Sequence, residues 1–500
     1  MSLVVGIDLG TQSLKAVICD PAAGFAVLGA HAIAQTTAYP SPGCAEQDPR
    51  AWEAALAPAI AGALANAGRT PRDVAALAIT GQLDGCVAVD RRGAPLAPAL
   101  IWQDRRASVE LDAALATASM SRHALFVRTG QVADPSHLGA KARWFDQHGF
   151  HAARFHLPVS YLVDRLTGAA VVDFAHASTT MLLGLDEQAW SPVLLDLFGV
   201  AIDRLPAIAA PTARAGSLHA IGAALTGLPF GTPVAVGTGD DFATPLGAGI
   251  ASPGGAFCTL GTAEVVGGLA RQAICDHTYL RDARDPWREL DEPMVETHPF
   301  PAGGFLLENP GWLSGGAVEL AARWLGVSSG SELDALAMTS PPGARGLTFV
   351  PHLAGAMTPR WRPDARGSFV GLSAAHERGD LARAVLEGLA CASRDVIERL
   401  AGLGVSAHVV HVLGGGGASR FWVQLRADLL GRPHHIAARR DTAAVGAAMI
   451  AAVAIGAATD LPAAAACAID EPFVVEPRGE SGEAYDRYRE VVARELVPRP

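Results

Sequence analysis

The sequence predicts an α/β protein built from two duplicated domains, and three observations support this prediction. Its 500 residues exceed the roughly 250–300 that one hydrophobic core usually serves. Apolar strand-like segments alternate with helical ones through both halves. A Leu-Gly-Thr turn between two apolar strands occurs at residues 9–11 and again at 260–262, 251 positions later. We therefore expect residues 1–250 and 251–500 to form two domains that face each other across a cleft.

The elements of the first half follow from apolar patterning and turn residues. Residues 3–20 predict a β-hairpin, because an apolar strand leads into a Gly-Thr-Gln-Ser tip and a second apolar strand follows it. Further on we predict a helix over 51–67, a buried strand over 74–80, a helix over 157–166 and a strand over 232–236.

The second half repeats this pattern. Residues 255–268 again predict strand, turn and strand, and a strand ends near 347–351. A long helix is predicted over 380–400, with Asp380 as its N-cap. A strand over 409–413 precedes four glycines and a helix that starts near Ser419, and a short amphipathic helix follows residue 481.

Residues 442–459 carry no charge and reach the length of a membrane span, roughly 18 residues. Most of them are alanine or glycine, and such small residues let helices and strands approach closely. We therefore predict a buried core helix here. A membrane transporter would need several such segments, so that class is excluded.

Composition excludes other classes. The chain is 50% hydrophobic and 18% charged, unlike a disordered protein. Its net charge of −11 argues against a nucleic-acid binder, which normally presents a basic face. Phosphate chemistry stays open, because helix N-termini and backbone turns bind phosphate without net positive charge.

The compartment is predicted from the first residues and the cysteines. The N-terminal segment lacks a basic region and places Asp8 inside its apolar run, unlike a signal peptide. The seven cysteines are scattered and form no CxxC pair, which is typical of reduced thiols and not of a metal site. We expect a cytoplasmic protein.

The first candidate motif is the hairpin tip at residues 8–13, with Lys15. Backbone N–H groups of such a turn can cradle phosphate oxygens, and a carboxylate before it can hold Mg²⁺, usually through water. An ordinary β-turn with a solvated Asp8 is an equally open alternative.

The second candidate motif is the Gly-Thr-Gly-Asp-Asp segment at 237–241. It follows a strand, and open α/β sheets bind ligands at the carboxyl ends of their strands. An aspartate there can accept a proton from a hydroxyl nucleophile. Taken alone, the motif favours a helix N-cap role for Asp240 or Asp241.

The third candidate motif is the four-glycine run at 414–417, which joins a strand to a helix. Glycines there let a nucleotide approach the backbone. The chain has no dinucleotide fingerprint, no GxxxxGK[ST] loop and no HRD or DFG segment of protein kinases, so nucleotide binding would use another scaffold.

The order and spacing of nine segments resemble the FGGY family of carbohydrate kinases over about residues 4–452. The segments are DLGTQSLKAVICD at 8–20, EQDPRAW at 46–52, GQLDG at 81–85, IWQDRR at 101–106, DFAHASTTMLL at 173–183, GTGDDFA at 237–243, GSFVGLSAAHERGDLARAVLE at 367–387, LGGGGASRFWVQLRADLLG at 413–431 and TAAVGAAMIAA at 442–452.

This resemblance implies two actin-like (ribonuclease H-like) domains with a central cleft, the first binding sugar and the second nucleotide, each with one phosphate loop. It implies phosphoryl transfer from MgATP to a sugar hydroxyl. Residues 442–459 would then lie behind the adenine pocket, and a homodimer is possible.

The resemblance also assigns roles to individual residues. Asp240 would be the catalytic base, and Asp8 would position Mg²⁺. The implied ATP contacts are Gly10, Thr11, Gln12, Ser13, Lys15, Gly261, Thr262, Gly415, Gly416, Gly417, Arg420 and Gln424. The implied sugar contacts are Gln82, Leu83, Asp84, Trp102, Asp104, Asp241 and Phe242.

Some positions depart from the family pattern. Asp84 stands where a histidine is usual, and Asp241 where an asparagine is usual, so each replaces a hydrogen-bond donor with an acceptor. The second turn has Ala263 where the family pattern has a serine. Residues 355–357 also differ from the family pattern, and the segment around Lys141 fits it loosely. The extra negative charges favour a neutral polyol over a carboxylated sugar.

The leading hypothesis is therefore an ATP-dependent kinase of D-xylulose. Another ketose or polyol, such as ribulose or glycerol, is the alternative within this class. A non-catalytic actin-like ATPase or sugar sensor is the alternative from another class, and Asp240 discriminates against it, because a sensor needs no hydroxyl base.

Overall fold

Two seven-stranded sheets organise the chain. The computed structural model describes residues 3–276, 293–359, 361–362, 364–468, 471–479 and 482–495. Contacts divide the chain into two units. Unit 1 contains Met1–Ser252, His298–Phe305 and Asp441–Ile469, and unit 2 contains Pro253–Thr297, Leu306–Arg440 and Asp470–Pro500.

The first fifteen strands and nine helices precede residue 253. The strands are β1 Leu3–Leu9, β2 Ser13–Asp20, β3 Ala26–Ala34, β4 Glu46–Gln47, β5 Val74–Gly81, β6 Val87–Val89, β7 Ala99–Leu100, β8 Arg154–His156, β9 Val171–Asp173, β10 Leu183–Gly184, β11 Ala189–Trp190, β12 Ala207–Ala209, β13 Arg214–Ser217, β14 Pro233–Ala235 and β15 Thr238–Gly239. The helices are α1 Pro49–Ala67, α2 Ser108–Thr117, α3 Arg122–Thr129, α4 Leu138–Gln147, α5 Pro158–Thr167, α6 Phe174–Ser178, α7 Pro192–Phe198, α8 Ala220–Thr226 and α9 Asp240–Gly247.

The remaining described elements follow in the same order. The strands are β16 Ala256–Leu260, β17 Ala263–Ala270, β18 Glu296–Pro299, β19 Phe305–Leu313, β20 Thr348–Val350, β21 Ser368–Val370, β22 Val410–Leu413, β23 His434–Ile436 and β24 Phe473–Val475. The helices are α10 Gly315–Trp324, α11 Gly330–Ala337, α12 Arg378–Gly402, α13 Arg420–Leu430, α14 Thr442–Ala454, α15 Leu461–Cys467 and α16 Gly482–Glu495.

The two large sheets share one strand order. The first runs β13-β14-β5-β1-β2-β3, with β15 also on β5, and the second runs β18-β19-β17-β16-β22-β23-β24. In each, an antiparallel hairpin (β1 with β2, β16 with β17) is extended on its first strand by parallel strands that come later in the chain (β5 and β14, β22 and β23). This repetition confirms the predicted α/β fold with two actin-like halves.

Helix α14 belongs to unit 1, although the sequence analysis placed its residues in the second half. It packs against α9, β1 and β5. Small residues make this possible, because a Cβ on Gly6 would overlap the carbonyl oxygen of Ala444 and one on Gly446 would overlap that of Ala243. The buried-helix prediction is confirmed over residues 442–454, since most of α14 is buried, but residues 455–459 lie beyond the end of the helix. In the described part of the chain, no helix is long and apolar enough to cross a membrane.

We expect Gly446→Ala to destabilise the protein by about 1–3 kcal/mol, because the added methyl group enters a filled space between α14 and α9. The matched control is Gly330→Ala, a helical glycine whose added Cβ would meet only Val318, at 3.9 Å. The control should be neutral or slightly stabilising, because alanine favours helix over glycine. Urea unfolding followed by circular dichroism compares the two variants; equal midpoints would contradict the packing argument.

Most element boundaries predicted from sequence are close to the observed ones, including α1, β5 and α5. The N-cap assigned to the long helix was wrong. Glu377 is the N-cap of α12, and Asp380 is three residues further on, where it accepts a hydrogen bond from the Glu377 backbone N–H at 2.8 Å. In this reciprocal capping box, Glu377 and Asp380 are both acidic. The usual residue preferences at helix N-caps therefore favoured Asp380 over the true N-cap, Glu377.

Candidate active site

Three strands of unit 1 bring the candidate residues to one edge of the first sheet. Gly81 at the end of β5 pairs with Leu9 of β1 on one side and with Gly239 of β15 on the other. The segments that follow these three residues are the first turn, the Gln82–Leu83–Asp84 segment and the Asp240–Asp241 pair. The register of parallel strands therefore assembles the site, as the strand-end argument predicted.

The first turn is closed by a hydrogen bond from the Gly10 N–H to the Ser13 carbonyl oxygen at 3.0 Å. The exposed Gln12 lies at its tip. The Trp102 indole N–H donates to the hydroxyl of Thr11 at 2.9 Å, which joins a predicted sugar contact to a predicted phosphate contact. This turn therefore closes the hairpin of β1 and β2.

Lys15 lies two residues beyond the turn and forms an ion pair with Asp441, at 2.5 Å between Nζ and Oδ1. Asp441 precedes α14 and has a left-handed backbone, with φ of 59°. No sequence pattern predicts this partner, because 426 positions separate the two residues.

Asp8 is the last polar residue of β1 before the turn. Its Oδ1 is buried and has no hydrogen-bond partner among the described residues. Burial and the neighbouring carboxylates of Asp240 and Asp441 raise the pKa of Asp8 to about 7, against the opposing effect of Lys15. A buried, unsatisfied carboxylate oxygen with acidic neighbours fits a bound cation.

Asp240 and Asp241 are the first two residues of α9, and Gly239 is its N-cap, so neither aspartate has the capping role that was the alternative. Burial, together with the charge of Asp84, raises the pKa of Asp240 to about 6. Burial and the charges of Asp240 and Asp84 raise the pKa of Asp241 as well. A carboxylate whose pKa is raised toward neutrality is suited to accept a proton from a hydroxyl group.

Asp84 is held by two residues that the sequence analysis did not assign to the site. His137 Nδ1 lies 3.0 Å from Asp84 Oδ1, and the buried Lys141 ammonium donates to the Asp84 and Ile101 carbonyl oxygens at 2.9 and 2.7 Å. Burial alone would raise the pKa of Asp84, but His137 and Lys141 outweigh it, and the pKa lies below its usual value. Asp84 is therefore a fixed negative charge in the site, with a left-handed φ of 58°.

A further missed residue is His298, which contacts the same region from a distant part of the chain. Its Nδ1 lies 2.8 Å from Ser178 Oγ and 3.1 Å from Gln131 Nε2, and its ring packs edge-on against Phe242 at 5.4 Å between centroids. Burial lowers the pKa of His298 to about 3, so the ring is neutral. No local motif surrounds His298, so sequence patterning had no signal for it.

Two predicted sugar contacts have a different environment from the one expected. Asp104 is 0% exposed, and its carboxylate accepts hydrogen bonds from the Ala45 N–H and the Arg106 guanidinium. Phe242 is also 0% exposed and packs in the interior. Their geometry supports positioning roles instead of direct contact with a sugar.

Gln82 and Leu83 lie between the strands that carry the site. The Gln82 side chain is 2% exposed, and its Oε1 has no hydrogen-bond partner among the described residues. Leu83 is half-buried and lies so close to Gly239 that a Cβ there would overlap its side chain. A side chain at position 239 would therefore require Leu83 to shift.

Unit 2 contains the corresponding pair of turns. The exposed residues Gly261 and Thr262 follow β16, and the Gly261 N–H donates to the Ala263 carbonyl oxygen at 2.9 Å. The glycine run follows the adjacent parallel strand β22, and Gly414 has a φ of 79°. A Cβ on Gly416 would overlap the side chain of Leu260, so this residue must be small.

The glycine run, which includes Gly415, Gly416 and Gly417, ends at α13, where Ser419 is the N-cap. Arg420 is exposed and stacks over Phe473, at 3.8 Å from its ring centroid. Gln424 donates to Asp428 and to the Glu476 carbonyl oxygen, each at 2.9 Å. These two side chains lie on the first turns of α13, next to the predicted nucleotide loop.

Comparison with known proteins agrees with this architecture. The N-terminal domain of the FGGY family of carbohydrate kinases matches residues 3–247, and its C-terminal domain matches residues 309–455. The chain is 30% identical to the xylulose kinase of Escherichia coli over 462 residues, covering 90% of each chain. It is 32% identical to the glycerol kinase of Alkalilimnicola ehrlichii, covering 91% of each.

A solved structure supports the same relationship. The xylulose kinase of Rhodospirillum rubrum is 30% identical, with a TM-score of 0.84 and 98% of each chain covered. The chain therefore belongs to the FGGY family of carbohydrate kinases. It is a phosphotransferase that uses ATP to phosphorylate an alcohol group of a sugar.

Proposed function

We propose that this kinase converts D-xylulose to D-xylulose 5-phosphate. Similarity to xylulose kinases over nearly the whole chain supports this choice of sugar. The position of Asp240 is the observation that supports this reaction. Its carboxylate has a raised pKa and lies at the same edge of the sheet as the first turn.

In the proposed reaction, Asp240 accepts the proton of the attacking sugar hydroxyl. Asp84 accepts a hydrogen bond from another hydroxyl group of the sugar, because an ionised carboxylate can only accept. Gln82, Leu83, Trp102 and Asp241 complete the sugar site. Such phosphoryl transfer depends mainly on alignment and charge neutralisation, so the chief task of these groups is positioning.

We further propose that Asp8 holds Mg²⁺. Its buried, unsatisfied oxygen fits a cation, and the neighbouring carboxylates of Asp240 and Asp441 add negative charge there. The described residues form no cluster of three or more metal-binding side chains. One carboxylate is sufficient for Mg²⁺, which usually binds proteins through one or two carboxylates, waters and substrate phosphates. When bound, Mg²⁺ would neutralise charge on the phosphate oxygens of ATP.

For ATP, we propose that the turn of Gly10, Thr11, Gln12 and Ser13 contacts phosphate oxygens. Gly261 and Thr262 would contact phosphate oxygens. Gly415, Gly416 and Gly417, with Arg420 and Gln424, would line the nucleotide site. The repeated hairpins support these roles for the two Leu-Gly-Thr turns, because each of them follows the first strand of its hairpin, whereas the glycine run follows the parallel strand β22.

Glycerol is the second candidate substrate. Glycerol kinases are as similar to this chain as xylulose kinases are, at 31–32% identity. The carboxylates of Asp84 and Asp241 also favour a neutral polyol with several hydroxyl donors.

The test is ADP release from MgATP across a panel of D-xylulose, D-ribulose, glycerol and sugar alcohols. We expect the highest kcat/KM with D-xylulose. A higher value with glycerol would replace the proposed substrate, and no stimulation by any sugar would contradict the kinase assignment of the site residues.

The raised pKa of Asp240 predicts an acid limb in the pH profile. Because the base must be ionised, kcat/KM should fall as the pH decreases through about 6. Asp84→Asn removes a negative charge that raises the pKa of Asp240, so its acid limb should move to lower pH, besides any loss of sugar affinity.

The control for this shift is Asp112→Asn, which changes an exposed surface ion pair with Arg122. Its pH profile should match that of the wild type. An unchanged acid limb in Asp84→Asn would show that Asp84 does not influence the group that titrates.

We also propose that the protein is cytoplasmic and forms a homodimer. The scattered cysteines without a CxxC pair support the first proposal. Light scattering of the purified protein tests the second, and a mass of 51.6 kDa would contradict it.

A further inference from the structure

Gln47 connects the two sides of the candidate site. It ends β4 and is 2% exposed. Its Nε2 donates to the Thr11 carbonyl oxygen at 2.7 Å and to Thr37 Oγ1 at 2.9 Å. Its Oε1 accepts from Trp52 Nε1 and from Gln82 Nε2, each at 3.0 Å. The amide thus uses both of its donors and both lone pairs of its oxygen.

We infer that Gln47 is a positioning residue for phosphoryl transfer, which holds the Thr11 carbonyl of the first turn in register with Gln82 on the sugar side. This inference rests on the proposed function of Thr11 and Gln82. In this inference, the buried side chain of Gln47 links the phosphate loop directly to the sugar site.

The contacts of Gln47 fix the orientation of its side-chain amide. Trp52 is a fully buried residue of α1, so its indole N–H fixes the oxygen of the amide. The planar amide then directs Nε2 toward Thr11. The Thr11 hydroxyl is held separately by Trp102, so the residue is held at both its backbone and its side chain. Displacement of a reacting group by about 1 Å can cost about 100-fold in rate.

The first test is Gln47→Met, which keeps the length of the side chain and removes all four hydrogen bonds. We expect kcat for sugar phosphorylation to fall about 10- to 100-fold, while the equilibrium Kd values for sugar and ATP change less than about threefold. The matched control is Thr37→Val, which removes only the hydrogen bond of Gln47 to Thr37. Its kcat should stay within about twofold of the wild type.

The second test is Gln47→Glu, which keeps an acceptor for Trp52 and Gln82. Only a protonated carboxyl group can donate to the Thr11 carbonyl, so kcat relative to wild type should decrease as the pH rises. A lost packing contact alone would give no such pH dependence.

Two results would overturn the inference: a folded Gln47→Met variant with kcat within twofold of wild type, or, if that variant does not fold, a Gln47→Glu variant that matches wild type from about pH 5 to pH 9. Wild-type protein that phosphorylates no sugar would overturn the proposed function and this inference together. That outcome is distinct, because it is seen without any variant.

Discussion

Asp240→Asn is expected to lower kcat by about 10²- to 10⁴-fold, the contribution typical of a general base. The amide has nearly the same shape as the carboxylate but cannot accept the proton of the sugar hydroxyl. Asp240 is at the start of α9 and directly follows β15, so the strand pairing that positions it should persist in the variant. Sugar binding, measured by calorimetry, should therefore change little.

The matched control is Asp241→Asn, which makes the same change at the next residue. The family pattern has an asparagine at this position, so we expect turnover within about tenfold of wild type. Equal losses in the two variants would indicate a general electrostatic effect, and turnover near wild type in Asp240→Asn would show that another group is the base.

Glu264→Gln is expected to destabilise unit 2 by about 3–5 kcal/mol, because it leaves the guanidinium of Arg426 buried without its counter-charge. Glu264 is 0% exposed, and its carboxylate accepts hydrogen bonds from both terminal nitrogens of Arg426, at 2.8 and 2.5 Å. Ser314 and Ser393 donate to the same carboxylate, and Arg426 stacks over Trp422.

This pair is also close to the second turn. Glu264 is the second residue of β17, two residues after Thr262 and within the hairpin that Gly261 and Thr262 close. Its partner is on α13, the helix that follows the glycine run. Loss of the pair should therefore loosen both predicted nucleotide loops and raise KM for ATP.

The control for this variant is Glu490→Gln, which removes the carboxylate of an exposed pair with Arg494 in α16 of the same unit. Exposed pairs contribute about 0–1 kcal/mol, so this change should be small. Urea unfolding measures both variants. A Glu264→Gln variant as stable as Glu490→Gln would contradict a stabilising role for the buried pair.

Local turn chemistry explains what could be predicted from the sequence. Each Leu-Gly-Thr turn lies between strands whose apolar runs are unmistakable, and Asp240 follows a strand directly. The parallel pairing of β1, β5 and β15 then follows from the α/β pattern. The fold and the carboxylates at the sheet edge could therefore be predicted from the sequence.

Contacts between distant residues explain the rest. His137, Lys141 and His298 reach the site through tertiary packing; His298 lies in no local motif, and the segment around Lys141 fits the family pattern only loosely. Asp104 was assigned to the sugar because it sits in a family segment, but its hydrogen bonds to Arg106 and Ala45 became visible only in the structure. Likewise, chain order placed α14 with the second half, whereas its small residues pack on unit 1.

We propose that unit 1 activates a sugar hydroxyl for phosphoryl transfer from ATP. Phosphorus NMR of a reaction with MgATP and D-xylulose tests it most directly. We expect one sugar phosphomonoester formed in equal amount to ADP, and almost none with Asp240→Asn. Wild-type protein that forms only ADP and inorganic phosphate, with every sugar and polyol tried, would contradict it.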